Sequence, residues 1–208
     1  MALGCLIGIA LLGGALDRRS LTIVTVAAAL PDLDAALSLY VPGATNAALH
    51  SGFLPIAGVA LLYWETERRG ESWVADRVGS AGIRVAWVAL AAYAVAGIGL
   101  DLFNVEGVAL FYPVSTRYYA VVGQLIASTE AGLIQTYVQL GSGWLDVASP
   151  GRTTNHHIAT WINPTPRANN PAGVERRLRI VDSGWQLVLL VTALVAAPAR
   201  WVFDRTPN

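Results

Sequence analysis

The sequence has few charged residues, no lysine and a single cysteine. Only 13% of its 208 residues are charged, whereas a soluble domain usually has about 25%. The single cysteine, Cys5, excludes an internal disulfide and a zinc site built from cysteines. The 14 basic residues, all arginine, balance 14 acidic ones. With no nucleic-acid motif, phosphate-binding glycine loop or internal repeat in the sequence, we expect no nucleic-acid partner.

The sequence contains several long runs of apolar residues, and 54% of its residues are hydrophobic. A straight membrane span needs about 20 residues. We therefore predict an all-α, polytopic transmembrane helical bundle in the cell membrane, a single membrane domain over residues 1–208. We expect about six membrane segments, at residues 2–16, 21–40, 48–64, 84–103, 118–141 and 183–203. The fifth contains Glu130 and several glutamines, so it either crosses inside the bundle or re-enters.

The arginines indicate a topology for such a bundle. If all six segments cross, every arginine except Arg117, Arg200 and Arg205 lies on one side, which the positive-inside rule makes cytoplasmic. Both termini then lie outside, and residues 142–182, rich in asparagine and proline, form an irregular cytoplasmic loop. Adjacent loop residues such as His156 and His157 rarely point to one metal centre, although the pair could bind one.

Aromatic residues mark the ends of the predicted spans, with Tyr118 at the start of the fifth. This position is typical of an interfacial aromatic belt, and ordinary packing is the alternative for about half of these residues.

The second apolar run contains the sequence Leu30-Pro31-Asp32-Leu33-Asp34. Two carboxylates at membrane depth need a partner, a cavity or a cation. Pro31 lacks a backbone donor and disfavours helix at Leu30. In an extended stretch after this break, Asp32 and Asp34 would point to the same side. The alternative, that Asp32 caps a short helix, explains only one of the two acids.

Two more candidate ligands stand at the ends of neighbouring runs. His50 opens the third run and Asp101 closes the fourth, so six crossings place both in the same leaflet as Asp34. An oxygen-rich shell favours magnesium or manganese, and an imidazole is also compatible with zinc. A hydrogen-bonded cluster with Asn46 and Asn104 would reduce the carboxylate repulsion without a metal. The predicted ligands of a divalent metal ion are Asp32, Asp34, His50 and Asp101.

These motifs resemble the YdjM-like family of LexA-regulated, membrane-bound, metal-dependent hydrolases. The chain matches the family's LPD-x-D pattern at residues 30–34, and His50-Ser51-Gly52 resembles half of its histidine block. After Asp101, residues 107–113 match its G-V-x-L-x-x-P run. The resemblance covers roughly residues 1–113. Gly97 stands where the family pattern has a histidine, four residues before the aspartate.

The resemblance implies a membrane-bound hydrolase that uses its metal to activate water for attack on an ester or phosphoester. Glu130, the acid in the fifth segment, is the predicted catalytic residue, either as a general base or as a group that supports a metal ligand. The membrane setting indicates the lipid bilayer as a partner and a lipid-like substrate. Two alternatives remain open: a non-catalytic relative that serves as a structural or partner-binding membrane subunit, and a proton-coupled transporter that uses the carboxylates as a relay.

Overall fold

The computed structural model describes residues 1–68, 72–104, 106–121, 125–128, 132–135, 149–166, 174, 176 and 184–203. The predicted helical character is confirmed, because these residues are mainly helical. The helices are α1 (Ala2–Leu11), α2 (Arg18–Ala27), α3 (Asp34–Leu37), α4 (Phe53–Tyr63), α5 (Trp73–Ala92), α6 (Leu100–Leu102) and α7 (Gly184–Phe203). Short 3-10 turns cover Gly13–Ala15 and Pro31–Leu33, and π-helical turns cover Trp64–Arg68 and Tyr93–Gly99.

Among the described residues, one continuous helix, Gly79–Leu102, is long and apolar enough to cross a bilayer. A second candidate combines α2 with Pro31–Leu37, two pieces bent by 51° that count as a span only if they form one broken helix. The apolar helices Ala2–Leu11 and Trp185–Trp201 are shorter. The predicted bundle of six spans is therefore not confirmed.

The predicted fifth helical segment, residues 118–141, is wrong as a helix. Its described part contains two short antiparallel strands, β1 (Leu125–Ser128) and β2 (Gly132–Gln135), with Leu125 opposite Gln135. The polar residues of this segment make a helix in lipid costly. Antiparallel pairing satisfies the backbone donors and acceptors on the facing edges of the two strands. Glu130, the predicted catalytic residue, lies outside the described residues.

The chain divides into two compact units. The first comprises Met1–Pro31, Leu54–Gly97 and Leu178–Asn208. In it α1 packs on α2, α5 and α7, and α2 packs on α5. Asp17 begins α2, because its Oδ1 accepts a hydrogen bond from Ser20 N at 2.6 Å, which satisfies a free donor of the first turn. The buried core of this unit consists of Leu12, Val24, Ala28, Val88, Ala92 and Ala96.

The second unit comprises Asp32–Phe53 and Ile98–Arg177, and it contains all four predicted metal ligands. Its described part has little regular structure and is held by turns and by two isolated antiparallel bridges. The buried core consists of Ala47, Ala109, Tyr118 and Ile158. Tyr118 is fully buried, and its hydroxyl donates to the backbone oxygen of Thr45 at 2.7 Å. Its predicted place in an interfacial belt is therefore wrong.

Arg117 and Arg152 face each other across one of these bridges. The flanking hydrogen bonds run from Tyr118 N to Gly151 O and from Thr153 N to Thr116 O, both at 2.9 Å. Two residues paired through their backbones lie on the same side of a membrane. The predicted separation of Arg117 from Arg152 is thus wrong, while the cytoplasmic location of 142–182 stays a prediction.

We predict that cysteines placed at Val114 and Thr154 respond alike to a membrane-impermeant thiol reagent. Both positions are exposed, and each lies within three residues of the bridge. The measurement is labelling in intact cells, in a background where Cys5 is replaced by serine. Permeabilised cells supply the control, because both cysteines should react there. Labelling of one position in intact cells and of the other only after permeabilisation would contradict the pairing.

Candidate metal centre

The two aspartates of the second apolar run both follow a break in the helix. α2 ends at Ala27, and a tight 3-10 turn covers Pro31–Leu33 before α3 begins at Asp34. Such a turn has three residues per revolution, so residues two apart point in different directions. Asp32 is exposed and Asp34 is 1% exposed. The predicted extended stretch that points both carboxylates to one side is wrong, because the chain after the proline stays coiled.

Gly97, the position where the family pattern has a histidine, is packed against the proline of this break. A Cβ atom at residue 97 would lie 2.7 Å from Cγ of Pro31 and 3.1 Å from the backbone oxygen of Ala28. Real side chains do not approach a proline ring so closely, so the backbone at residue 97 can come this near only as glycine. The packing of Pro31 therefore leaves no room for a ligand at this position.

Asp34 holds the imidazole of His50 from one side. Its Oδ2 accepts hydrogen bonds from His50 Nδ1 at 2.7 Å and from the backbone N–H of Ala47 at 3.1 Å. The two side chains are 1% and 0% exposed. Because a carboxylate only accepts, the proton of the neutral imidazole lies on Nδ1, and the lone pair lies on Nε2. This is the arrangement in which a carboxylate orients a metal-binding histidine.

The other ring nitrogen faces the remaining two predicted ligands. His50 Nε2 lies 2.8 Å from Oδ2 of Asp101, whose side chain is 29% exposed. One ligand atom each from Asp32, His50 and Asp101 lie within 4.8 Å of one another. Atoms this close can share an ion bound at about 2.0 to 2.6 Å. The structure thus groups three of the four predicted ligands and places Asp34 behind the histidine.

The contact between His50 and Asp101 requires a positive charge. Nε2 of His50 is buried and makes no hydrogen bond of acceptable geometry within the described residues, although a carboxylate oxygen is 2.8 Å away. Burial lowers the pKa of His50, but the carboxylates of Asp101 and Asp34 raise it to about 9 overall. A proton on Nε2 or a cation shared by the two groups relieves the repulsion of their lone pairs. The donor chemistry of the site therefore fits a divalent metal ion.

The asparagines that could replace a metal are engaged elsewhere. Asn46 Nδ2 donates to the backbone oxygen of Gly107 at 3.2 Å. Asn104 Oδ1 accepts from the backbone N–H of Glu106 at 3.4 Å. Within the described residues, neither asparagine donates a hydrogen bond to the three grouped ligands.

The G-V-x-L-x-x-P run contributes a backbone support for His50. Three hydrogen bonds join this run to the segment before α4: Ala109 N to Asn46 O at 2.9 Å, Gly52 N to Leu110 O at 2.8 Å, and Ser51 Oγ to Tyr112 O at 2.6 Å. They fix the backbone on both sides of His50, which is why its ring can be buried in one orientation. The motif therefore positions the site without supplying a ligand.

Sequence reasoning missed the role of Tyr118, whose hydroxyl holds the same segment at Thr45. Burial and the nearby charge of Asp34 raise the pKa of Tyr118, so its hydroxyl stays a neutral donor. No local pattern distinguishes it from an interfacial tyrosine. Of the two loop histidines, His157 donates from Nε2 to Asn163 O at 3.2 Å, and His156 packs edge-on to Tyr118.

Comparison with known proteins gives one family. The family model described as YdjM inner membrane protein matches residues 1–163 of the chain. No curated protein and no solved structure matches the chain. The family match extends past the last sequence motif at residue 113 and includes the segment 149–163, which packs in the same unit as the three grouped ligands.

Proposed function

Since the chain belongs to the YdjM inner membrane protein family and is an inner-membrane protein, we propose that it is a metal-dependent hydrolase acting at the membrane. The observation that carries this proposal is the buried Nε2 of His50, which lies 2.8 Å from Asp101 without a hydrogen bond of acceptable geometry. A carboxylate and an imidazole lone pair held this close favour a cation between them.

Asp32, His50 and Asp101 would hold the ion, which is magnesium, manganese or zinc by the chemistry of its donors. When bound, a divalent ion lowers the pKa of a coordinated water and polarises an ester or phosphoester oxygen. Asp34 keeps the Nε2 lone pair of His50 directed at the ion by holding the proton on Nδ1. Glu130 remains our candidate for the general base.

The exposed side of the ligand group supports a lipid-linked substrate. His50 is fully buried, whereas Asp32 is exposed and Asp101 is partly exposed, so a substrate would approach from the aspartates. Leu33, next to Asp32, is 56% exposed, and Phe103, two residues after Asp101, is 54% exposed. Apolar side chains beside both accessible ligands suit a substrate that carries an acyl or isoprenoid chain.

A non-catalytic membrane subunit is the second candidate, and one observation favours it. His50 lies 2.7 Å from Asp34 through Nδ1 and 2.8 Å from Asp101 through Nε2, so a doubly protonated imidazole would bridge the two carboxylates and satisfy the cluster without a metal. Metal analysis of the purified protein separates the two candidates. One equivalent of divalent metal after dialysis, together with hydrolysis of a nitrophenyl ester or phosphoester, supports the enzyme. A protein that binds no metal even when an excess of metal is added supports the non-catalytic subunit.

We predict that Asp34→Asn lowers the metal affinity by about 10- to 100-fold, the usual effect of removing a carboxylate that orients a metal-bound histidine. An asparagine can present its amide nitrogen to Nδ1, which no longer fixes the proton there. Isothermal titration with zinc or manganese measures the change. Thermal stability in the presence of metal should fall in parallel, since a bound ligand stabilises the folded state.

Asp17→Asn is the matched control for this experiment. Asp17 caps α2 in the other compact unit, and asparagine caps a helix about as well as aspartate, so this variant should keep both its stability and its metal affinity. An Asp34→Asn protein that binds metal as the unmodified chain does, or that is more stable in both the presence and the absence of metal, would contradict the proposed arrangement.

A further inference from the structure

Two exposed arginines occupy directly opposed positions on paired backbone segments. Arg117 and Arg152 form an antiparallel bridge, and the hydrogen bonds lie on the residues flanking them, from Tyr118 N to Gly151 O and from Thr153 N to Thr116 O. The arginines are therefore a non-hydrogen-bonded pair, the closer of the two kinds of antiparallel pair. Directly opposed side chains in such a pair point to the same face, with Cβ atoms about 4.5 to 5.5 Å apart.

Like charges in this position are unfavourable unless something neutralises them. Within the described ranges, no ion pair joins either guanidinium to a carboxylate. The guanidinium of Arg117 lies over the ring of Tyr119 at 5.5 Å from its centroid, which orients it without reducing its charge. The pair is thus a preformed concentration of positive charge on one face.

Exposed apolar residues precede Arg117 in the chain. Val114, three residues before Arg117, is 82% exposed, and Phe111 is 48% exposed. A guanidinium forms charge-assisted, bidentate hydrogen bonds with phosphate as well as with carboxylate oxygens, and two opposed guanidiniums can divide the oxygens of one phosphate between them.

We propose that Arg117 and Arg152 form a binding site for a phosphate group at the membrane surface. The site is separate from the group of Asp32, His50 and Asp101 and does not rest on the proposed hydrolase. Its ligand chemistry is a phosphate oxyanion, carried either by an anionic lipid headgroup or by a soluble phosphate. The exposed Val114 and Phe111 would contact the acyl region beside a headgroup.

The first arm of the test uses inorganic phosphate. Full-length protein in a neutral detergent is titrated at constant ionic strength, and the dissociation constant is measured by calorimetry. The double variant R117Q/R152Q should bind phosphate at least tenfold more weakly. Arg77→Gln is the matched control, because Arg77 is also exposed and lies over an aromatic ring, Trp73, at 5.2 Å, but has no opposed arginine.

The second arm identifies the source of the phosphate. The protein is incorporated into nanodiscs of mixed phosphatidylglycerol and phosphatidylcholine, extracted, and analysed for retained lipid. If R117Q/R152Q retains less phosphatidylglycerol and R77Q does not, the site is assigned to a lipid headgroup. If R117Q/R152Q binds phosphate more weakly but retains the same amount of lipid, the site is assigned to a soluble phosphate. The proposal is overturned if the double variant matches the unmodified protein in both arms, or if R77Q shows equal losses. Circular dichroism checks that both variants are folded.

Discussion

Replacing His50 with alanine is expected to remove bound metal from the purified protein and to abolish metal-dependent hydrolysis. His50 supplies the nitrogen ligand of the group and is the link between buried Asp34 and partly exposed Asp101. Its removal leaves two carboxylates facing a cavity and takes away the partner of a buried charge. Breaking a buried charged pair costs about 3 to 5 kcal/mol, so we expect the thermal stability to fall as well.

Two further variants separate the loss of metal from the loss of stability. His157→Ala is the matched control, since His157 lies in the same unit but donates to the backbone of Asn163. It should keep full metal content. His50→Gln keeps a polar side chain of similar reach and can still donate to Asp34, so it should recover part of the stability without recovering the metal. Metal analysis by mass spectrometry and thermal unfolding are the measurements. Stoichiometric metal in His50→Ala would refute the proposed centre.

Replacing Gly43 with alanine is expected to destabilise the fold by about 2 to 5 kcal/mol, the sum of a left-handed backbone penalty and overpacking. Gly43 has a φ of 77°, a conformation that favours glycine. A Cβ atom there would overlap the backbone oxygen of Thr153. The backbone of Thr153 is held in place by the hydrogen bond that its N–H donates to Thr116 O. The hydroxyl of Tyr118 holds the neighbouring Thr45, in the segment that leads to His50. A shift of residue 43 would disturb this segment, so the metal affinity should also fall.

Denaturant unfolding followed by tryptophan fluorescence measures this effect. Gly14→Ala is the control, since a Cβ at residue 14 meets no atom within 4 Å in the part of the chain that the structure describes. Equal midpoints for Gly43→Ala, Gly14→Ala and the unmodified protein would show that segments 43–45 and 151–153 do not pack together.

The grouping of Asp32, His50 and Asp101 could be anticipated because each residue carries a local cost that requires an explanation. Asp32 follows a proline within one apolar run, and Asp101 ends another. Placing either carboxylate alone in an apolar environment costs free energy, and sharing a cation or a proton lowers that cost. The number of membrane spans could not be predicted from local sequence features in the same way. The sequence has six apolar runs, but within the described residues only Gly79–Leu102 is a continuous helix long and apolar enough to cross.

The sequence by itself determined the membrane location, the helical class, the break at Pro31 and the residue types of the site, because apolar composition, a missing backbone donor and buried charge act locally. Only the tertiary structure decided which atom contacts which. It placed Asp34 behind His50, Tyr118 in the core and Arg117 opposite Arg152. These outcomes depend on backbone pairings between segments far apart in the chain, such as 46 with 109 and 118 with 151. Such pairings follow from the satisfaction of every buried donor and acceptor at once, which no local pattern records.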